Sequence, residues 1–423
     1  MSASKRLLLF AYFYPPLGGP AVQRPCKTVK YLTALGWQVD VITIKDIVYH
    51  SRDESLLSEC RHHKIFRTAS LDPMFMLNNL QKLLRLNTDK LYFQTKSTQK
   101  KNLKKLYPID DKIGWLPFAI QAGKKALLTN RYDAMMVTCG PFSSALAARH
   151  IAKLGKIPFI MDYRDHWTLN NTTQQHGGFF YKLLQRVEQS CLQSATLVLT
   201  ATDSMKQALT KHFGQYLEAK TMTFYNGWDE ADFVNMLRSR QPDGIFRIVY
   251  PGTLYGDRPL AFFLSALQQI HQENPEADFE FWLVGNFYAE THQEVENSGV
   301  ADKVKFIGQQ SHQKAIQMML DADILLLVIG DAKHDWVVTG KLFEYLRSQR
   351  PILALATQQS EAAMILREAG HESICDIDDT AAIKAALQKL FSSLPVSVDQ
   401  FIIPSGYERF CQVRNLAERL QEL

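Results

Sequence analysis

Residues 6–44 read RLLLFAYFYPPLGGPAVQRPCKTVKYLTALGWQVDVITI, and this stretch decides the fold class. The continuous apolar run at Arg6–Tyr14 predicts a buried parallel strand, which ends in a turn rich in proline and glycine. Apolar residues then recur at helical spacing through Gln23–Leu35, up to a glycine. Trp37–Ile44 predicts a second strand. A strand, a glycine-rich turn, a helix and a strand within about 40 residues indicate a βαβ unit.

Length and composition indicate an ordinary globular chain of more than one domain. The 423 residues exceed the usual size of a single core, and 46% hydrophobic with 22% charged residues is typical of folded proteins. The net charge of +5 suits an anionic substrate or membrane surface and is too small to indicate a nucleic-acid partner. The six cysteines form no CxxC pair, which favours reduced core thiols over a zinc site or disulfides.

Residues 45–130 interrupt the alternation of strands and helices. They contain an apolar and basic stretch, Pro73 to Leu86, followed by a lysine-rich run, Lys96 to Lys105. We expect a solvated insertion between core elements here. The alternative is a surface for anionic lipid or a lipid-phosphate acceptor.

Two series of alternating strands and helices follow one another along the chain. The first continues from residue 134 to residue 224, Asp229–Asp243 has the composition of a linker, and the second series begins at Phe246. We therefore predict an α/β protein of two facing Rossmann-like domains with a cleft between them. The domains are expected at 1–235 and 244–403, with a last helix at 405–423 that packs back on the first.

The N-terminal residues do not have the pattern of a secretory signal. Their apolar run is short, lacks a small-residue cleavage site and ends in a Pro-Pro-x-Gly-Gly turn. No stretch approaches the roughly 20 apolar residues that span a bilayer. We expect a cytoplasmic protein that is soluble or peripheral on the inner face of the plasma membrane.

In open α/β sheets ligands bind beyond the carboxyl ends of the strands, so residues that directly follow strands are the candidates. Gly18 and Gly19 follow the first strand, and Gln23 and Arg24 lie in the helix after it. Glycines permit close backbone approach, and a helix N-terminus with an arginine favours an anion or the acceptor. The pattern is not GxGxxG, so a dinucleotide cofactor is not predicted. The alternative is a tight turn alone.

A second group in the first domain is DYRDHW, residues 162–167, at the end of a buried strand. Asp162, Arg164 and Asp165 are candidate catalytic residues, because charged groups that cluster at this edge of a sheet are typical of residues that line a cleft. The structural alternative is that one aspartate pairs with Arg164 to fix the loop.

The second domain offers two groups that suit a nucleotide. Gly252 and Thr253 lead a turn that ends in Arg258, and a glycine turn followed by an arginine suits a diphosphate. Lys341 and Glu344 lie three residues apart on one helical face, where a cation for phosphate and a carboxylate for ribose hydroxyls are a sensible pair. A surface ion pair is the alternative. The full stretch of candidate donor-binding residues at this helix is Thr339, Gly340, Lys341, Leu342 and Glu344.

Other polar motifs are interpreted as structural. The D-x-D strings at 321–323 and 376–378 are expected to cap neighbouring elements, and we predict no metal site. His312 and His334 lie in predicted loops, where a lone histidine is usually incidental.

The motifs together resemble glycosyltransferase family 4, retaining enzymes of the GT-B fold, particularly those of bacterial capsule, exopolysaccharide and lipopolysaccharide assembly. The matching stretches follow the family's order over nearly the whole chain outside residues 45–130 and the C-terminal tail. They are YFYPPLGGPAVQR, LGWQVDVIT, FIMDYRDHW, TFYNGWDEADF, VYPGTLYGDRP, ADILLLV and TGKLFEYLRSQRPILAL.

The resemblance implies that the second domain binds a nucleotide-diphosphate sugar, used as co-substrate without a cofactor, and that the first binds a glycan or lipid-linked acceptor. Arg258 and Lys341 would contact the diphosphate, Glu344 the ribose, and the loop 162–165 the acceptor. Gly18 and Gly19 would line the cleft.

The sequence departs from the family's E-x7-E pattern, because Trp336 stands where the first glutamate is expected. Asp335 and His334 are the candidate substitutes, and donor identity is what this departure leaves open. No lysine closely follows Arg258 either, and Lys341 is the candidate replacement. Two alternatives therefore remain: a nucleotide-sugar epimerase of the same architecture and a catalytically inactive assembly partner.

Overall fold

The computed structural model describes residues 4–47, 49, 52–59, 64–84, 109–170, 178–240, 243–254, 258–276, 278–393 and 401–423. The chain divides into two compact units. The first unit comprises Met1–Tyr225 and Phe410–Leu423, and the second comprises Asn226–Arg409. Within the residues described, no helix is both long and apolar enough to cross a bilayer.

The first unit is built on a parallel sheet whose strands lie in the order β3-β2-β1-β4-β5-β6-β7. The seven strands of the described part are β1 (Arg6–Phe10), β2 (Gln38–Ile44), β3 (Lys64–Thr68), β4 (Ala134–Cys139), β5 (Phe159–Tyr163), β6 (Leu197–Thr200) and β7 (Thr221–Thr223). Every residue of β4 and β5 is buried, as expected when helices cover both faces of a parallel sheet. The strand order reverses between β1 and β4, which is where ligands bind in sheets of this kind.

The helices of the first unit connect these strands. They are α1 (Pro20–Ala34), α2 (Ser55–Glu59), α3 (Pro73–Leu84), α4 (Leu116–Thr129), α5 (Ser143–Gly155), α6 (Gly178–Ser194) and α7 (Asp203–Phe213). Helix α1 begins with a proline at its first position, where a missing N–H costs nothing, directly after Gly19 with a φ of +84°.

The predicted insertion at 45–130 is wrong for the residues that the structure describes. Strand β3 pairs in parallel with β2, from Asp40 opposite Lys64 to Ile44 opposite Thr68, and so extends the core sheet. Helix α4 packs so closely on α5 that a Cβ atom at Gly123 would lie 2.6 Å from Ile151. The lysine-rich run, Lys96 to Lys105, lies outside the described residues.

The second unit has its own parallel sheet, in the order β10-β9-β8-β11-β12-β13. Its strands are β8 (Phe246–Pro251), β9 (Phe279–Val284), β10 (Val304–Phe306), β11 (Ile324–Gly330), β12 (Ile352–Ala356) and β13 (Ile374–Cys375). Its helices are α8 (Ala261–Glu273), α9 (Ala289–Glu296), α10 (His312–Asp321), α11 (Gly340–Ser348), α12 (Glu361–Glu368) and α13 (Thr380–Ser393). The strand order reverses between β8 and β11.

A last helix, α14 (Arg409–Gln421), packs on the first unit. The ring of Phe410 lies 5.5 Å from that of Tyr31, and the Gln412 side chain accepts a hydrogen bond from the N–H of Tyr225 at 3.0 Å. The predicted α/β architecture of two Rossmann-like domains is confirmed.

The predicted linker is held against the second unit by the first D-x-D string. Asp321 accepts hydrogen bonds from the N–H groups of Ser239 and Arg240 at 2.6 and 2.9 Å, and Asp323 forms ion pairs with Arg238 and Arg240 at 2.5 Å. These carboxylates are therefore structural. Asp379, which directly follows the second string, caps α13 by accepting from the N–H of Ala382 at 2.9 Å. No cluster of three potential metal ligands occurs in the part of the chain that is described.

Candidate functional site

Two glycine turns meet at the carboxyl edge of the second sheet. Gly252 follows β8 with a φ of +102°, and its N–H donates to the carbonyl of Val284 at 2.6 Å. Gly285 follows β9 with a φ of +146°, and a Cβ atom there would lie 3.0 Å from the carbonyl oxygen of Gly252. Both positions favour glycine, because other residues rarely adopt a positive φ and no side chain fits between the turns. Backbone therefore lines this part of the edge.

Lys341, in the first turn of α11, lies over the turn that follows β8. Its Nζ is 3.9 Å from the ring centroid of Tyr250, a cation–π contact. A Cβ atom at Gly252 would lie 2.7 Å from Cε and 2.8 Å from Nζ of Lys341. The glycine at 252 is thus what admits the lysine side chain to the edge of the sheet.

The surroundings of Lys341 disfavour its charged form. Burial of the ammonium, and then repulsion by Arg258, lower the pKa of Lys341 to about 7, while Glu344 acts in the opposite direction. The ammonium makes no hydrogen bond or ion pair with the residues that the structure describes. The repulsion shows that Arg258 and Lys341 influence each other, and a negatively charged ligand would relieve it.

Two buried polar atoms in this region have no hydrogen-bond partner among the described residues, Nε of Arg258 and Oγ1 of Thr339. A buried polar atom without a partner costs about 1–3 kcal/mol, so such atoms call for an explanation. Thr339 is also the N-cap of α11 and makes no side-chain capping bond. A guanidinium, an ammonium, a hydroxyl and a helix N-terminus are together the donors that a diphosphate takes.

The remaining predicted donor-binding residues lie in the turn after β8 and in the first turn of α11. The carbonyl of Thr253 accepts from the Tyr250 hydroxyl at 3.3 Å, which closes the turn after β8. Leu342 is fully buried, and its N–H donates to the carbonyl of Thr339 at 3.1 Å. No heavy atom lies within 4 Å of a Cβ built on Gly340, so the start of α11 is open.

Glu344, the predicted ribose ligand, lies next to a histidine that the sequence pattern gave no role. Nε2 of His312, the first residue of α10, is 3.7 Å from Oε1 of Glu344 and 3.3 Å from Oδ2 of Asp232. The predicted incidental histidine thus lies between two carboxylates. Glu344 is half-buried, so its carboxylate keeps some access to solvent.

The loop before α11 uses its own polar groups internally. Asp335 accepts from the hydroxyl of Thr357, and its carbonyl accepts from the N–H of Glu361 at 2.9 Å. Nδ1 of His334 is 2.9 Å from the Asp331 carboxylate, and the indole N–H of Trp336 donates to a backbone carbonyl at 3.2 Å. Asp335 and His334, predicted as substitutes for the glutamate at 336, therefore both make polar contacts with neighbouring residues of the second unit.

In the first unit the predicted site residues Arg24 and Asp162 are partners of each other. The guanidinium donates to the carboxylate from Nε at 3.0 and 3.1 Å and from a terminal nitrogen at 2.6 Å. It donates also to the carbonyl of Phe224 at 2.6 Å. Both side chains are almost fully buried. The pair joins α1 to the end of β5, so the structure shows Arg24, rather than Arg164, as the partner of Asp162.

The other residues of the 162–167 loop range from half-buried Arg164 and exposed Asp165 to buried His166. Arg164 donates to the carbonyls of Ala21, Cys139 and Gly140 at 2.7 to 2.9 Å, which ties the loop after β5 to the first turn of α1 and to the end of β4. Asp165 is exposed. His166 is buried, and its loss of hydration lowers its pKa to about 4, so it is neutral at neutral pH.

The glycine pair of the first unit forms the entry to α1. Gly18 is buried, and the carbonyl of Gly19 accepts from the N–H groups of Val22 and Gln23 at 3.0 and 3.3 Å. Gln23 is half-buried. Among the predicted first-unit side chains, those of Gln23, Arg164 and Asp165 keep access to solvent.

A buried glutamate that the sequence interpretation missed supports the same loop. Glu188 in α6 accepts from the Tyr163 hydroxyl at 2.9 Å and from the N–H and hydroxyl of Thr168 at 3.0 and 2.5 Å. Burial raises the pKa of Glu188 to about 7, against the effect of these hydrogen bonds. Its place on the helical face that also buries Leu184 and Cys191 is the sequence feature that could have revealed it.

Comparison with known proteins gives the same class of fold. The chain is similar to Anabaena Alr3699/HepE in complex with UDP and glucose, with 15% identity, 99% of this chain and 100% of that chain covered, and a TM-score of 0.64. It is similar to trehalose-6-phosphate synthase OtsA, with 12% identity, 99% of each chain covered and a TM-score of 0.65. A proposed UDP-N-acetylglucosamine 2-epimerase from Listeria monocytogenes has 10% identity, 100% and 98% coverage and a TM-score of 0.60. A search of the curated proteins gives no significant match.

Two parallel α/β sheets and these neighbours define the class: the protein has the GT-B fold. Family models identify the family more closely. The model described as "Glycosyl transferase 4-like domain" matches residues 18–227, and the model described as "Glycosyl transferases group 1" matches residues 245–393. The chain belongs to the GT4-like glycosyltransferases, and the predicted family resemblance is confirmed.

Proposed function

We propose that the second unit binds a nucleotide-diphosphate sugar and that the enzyme transfers its sugar to a glycan or lipid-linked acceptor with retention of the anomeric configuration. The observation that carries this proposal is the cluster of Lys341, Arg258, Thr339 and the Gly252 turn. It combines two cations with buried donors that have no partner among the described residues. The UDP complexes of the Anabaena protein make UDP-sugars the first donors to test.

Departure of the nucleoside diphosphate is the step that this cluster would assist. Negative charge develops on the phosphate as the bond to the sugar breaks, and the cations Lys341 and Arg258 with the N-terminus of α11 would stabilise it. These groups can act in this way without a metal ion. Retention follows if the acceptor hydroxyl attacks from the side of the leaving group and its proton passes to the donor phosphate, so that no side chain need act as the nucleophile.

The cellular role that fits is assembly of a cell-surface polysaccharide or lipopolysaccharide, at the inner face of the plasma membrane. The support for it is the order of motifs in residues 6–355, which resembles that of enzymes in capsule, exopolysaccharide and lipopolysaccharide assembly. A mildly basic chain with a net charge of +5 suits an acceptor carried by anionic lipid.

Alanine substitution of the two residues on α11 tests the proposal. We expect Lys341→Ala and Glu344→Ala each to abolish transfer while the melting temperature stays near that of the wild type. The matched controls are Lys389→Ala and Glu372→Ala, which remove a lysine and a glutamate from an exposed surface pair and should leave transfer unchanged. Transfer at the wild-type rate in either α11 variant contradicts the proposed site.

A screen of nucleotide sugars identifies the donor and separates the alternatives. A ligand that binds only the native state raises the melting temperature, so UDP-, GDP- and other nucleotide sugars can be ranked by thermal stabilisation. A transferase releases the nucleoside diphosphate and glycosylates an acceptor. An epimerase converts the donor without needing an acceptor, and an inactive assembly partner, which the tryptophan at 336 would suit, does neither.

A further inference from the structure

Helix α6 exposes a group of large apolar side chains at its first two turns. Phe179 is 77% exposed, Phe180 63% and Leu183 44%. The opposite face of the same helix buries Leu184, Glu188, Cys191 and Leu192 in the first unit. Large apolar side chains that cluster on the surface usually mark an interaction site, since single exposed ones are common but groups are not.

Two exposed cations border these apolar residues. Lys182 and Arg186 are both exposed, and at about 100° per residue they fall on the same outward arc of the helix as Phe179 and Leu183. The one acidic residue in the sequence of α6, Glu188, lies on the buried face. The outward surface of α6 is therefore apolar and cationic together. We call Phe179, Phe180, Lys182, Leu183 and Arg186 the α6 patch.

The α6 patch adjoins the loop proposed to face the acceptor. The Tyr181 hydroxyl donates to the carbonyl of Thr168 at 3.2 Å, and Glu188 accepts from the N–H of the same residue at 3.0 Å. The helix is thereby fixed to the loop that follows β5, at the carboxyl edge of the first sheet. A surface bound there would be brought close to the candidate acceptor residues.

We propose that the α6 patch docks the first unit on an anionic lipid bilayer, the two phenylalanines and the leucine entering the interface and the two cations meeting lipid headgroups. Aromatic and leucine side chains next to lysine and arginine on one helix face are the pattern of an interfacial contact. The inference deepens the proposed function, on which it rests for the lipid-linked acceptor, by assigning the membrane contact to named residues.

A bilayer suits the α6 patch better than a second copy of the chain does. A stable dimer needs about 800 Å² from each partner, which three apolar side chains cannot supply. A symmetric contact would also bring the lysine and arginine of one copy towards those of the other. Anionic lipid requires no such area, because each cation near the surface adds its own attraction.

Co-sedimentation of the full chain with vesicles tests the proposal. The vesicles are phosphatidylcholine alone, and equal parts of phosphatidylcholine and phosphatidylglycerol. We expect binding to the anionic vesicles only. Phe179→Ser with Phe180→Ser should weaken it at least about tenfold, since two aromatic side chains no longer enter the interface. Lys182→Glu with Arg186→Glu should weaken it at least about 20-fold, at about fivefold for each cation removed and more for the added repulsion.

A charge-matched control separates the α6 patch from the net charge of the protein. Lys124→Glu with Lys125→Glu changes two exposed cations of α4 by the same total charge and should alter binding less than about twofold. Equal loss in both charge-reversal pairs, or no binding of the wild type to anionic vesicles, overturns the proposal. So does concentration-dependent dimerisation that the serine pair abolishes. Thermal stabilisation by UDP-sugars should persist in every variant, so failure of vesicle binding alone leaves the donor site intact.

Discussion

The two units use an arginine near the first strand of each sheet in opposite ways. Arg24, in the helix after β1, is almost fully buried and donates to the carboxylate of Asp162 and to a backbone carbonyl. Arg258 follows β8 at the corresponding edge, and its Nε is buried with no partner in the described part of the chain. The same residue type after the same kind of strand is thus paired within the fold in one unit, whereas in the other we propose it as a ligand of the donor diphosphate.

Position at the carboxyl edge of a strand is therefore insufficient to identify a binding residue. The two arginines differ in the charged groups that surround them. Asp162 of β5 forms an ion pair with Arg24 within the fold, whereas Arg258 repels another cation, Lys341, and lowers its pKa.

The largest effect is expected from breaking the buried pair of the first unit. Arg24→Met leaves the Asp162 carboxylate buried without its partner, and we expect the free energy of unfolding to fall by about 3–5 kcal/mol. Arg258→Met removes a group that has no partner at Nε, and we expect it to change that free energy by less than about 1 kcal/mol. Donor affinity should instead fall by about 10- to 100-fold, the loss of a charged hydrogen bond. Urea unfolding and UDP titration measure the two quantities.

A double variant tests whether the loss of stability in Arg24→Met comes from leaving the buried Asp162 carboxylate without a partner. Arg24→Met with Asp162→Leu removes both charges, so it should recover part of the stability lost in Arg24→Met alone. Equal destabilisation by Arg24→Met and Arg258→Met would show that both arginines are structural, and the contrast between the units would not hold.

The next effect concerns the buried glutamate of the first unit. Because burial raises the pKa of Glu188 from 4.5 to about 7, folding favours its neutral form, and the contribution of Glu188 to stability is greatest below pH 4.5. It declines as the pH rises to about 7, at about 1.4 kcal/mol per pH unit and about 3 kcal/mol in total. Glu188→Gln keeps a neutral hydrogen-bonding group that does not titrate, so the unfolding free energy of the wild type should fall relative to that of the variant by that amount from pH 4.5 to pH 7. A constant difference would mean that Glu188 is ionised in the folded protein throughout.

The sequence was sufficient for the parts of the fold that repeat a simple pattern. Continuous apolar strands such as β4 and β11, and glycine turns such as that at Gly252, follow from local rules and lie where they were predicted. Strand β3 was missed because an edge strand is half-exposed, and its sequence KIFRT lacks the apolar run of its neighbours.

The candidate site shows a sharper limit. Lys341 and Glu344 come together because they share one turn of a helix, which spacing alone predicts. The pairing of Arg24 with Asp162 joins residues 138 positions apart, and no local pattern indicates which of two arginines the aspartate will contact. His312 is likewise brought to Glu344 by the packing of two helices, so its neighbourhood could not be read from its own segment.

The smallest expected effect is in proton uptake on ligand binding. It distinguishes Lys341 of the second unit from Glu188 of the first, two residues whose pKa values are both shifted. Both pKa values lie near 7, but Glu188 has hydrogen-bond partners within the fold, whereas the ammonium of Lys341 has none among the described residues. A bound diphosphate would supply a hydrogen-bond partner for the ammonium and raise the pKa of Lys341. Binding of UDP should then take up close to one proton at pH 8 and almost none at pH 6, and affinity should fall about fivefold from pH 7 to pH 8.

Calorimetric titration of UDP in buffers of different ionisation enthalpy measures the proton uptake. At pH 8 the phosphates of UDP are already ionised, so a proton that is bound must go to the protein. Lys341→Met should abolish the uptake and lower the affinity, while Lys389→Met, a change at an exposed lysine, should leave both unchanged. If the wild type binds UDP at pH 8 without proton uptake, the ammonium is not the group that the diphosphate meets. The lowered pKa of Lys341 would then, like that of His166, reflect burial within the scaffold rather than an open site.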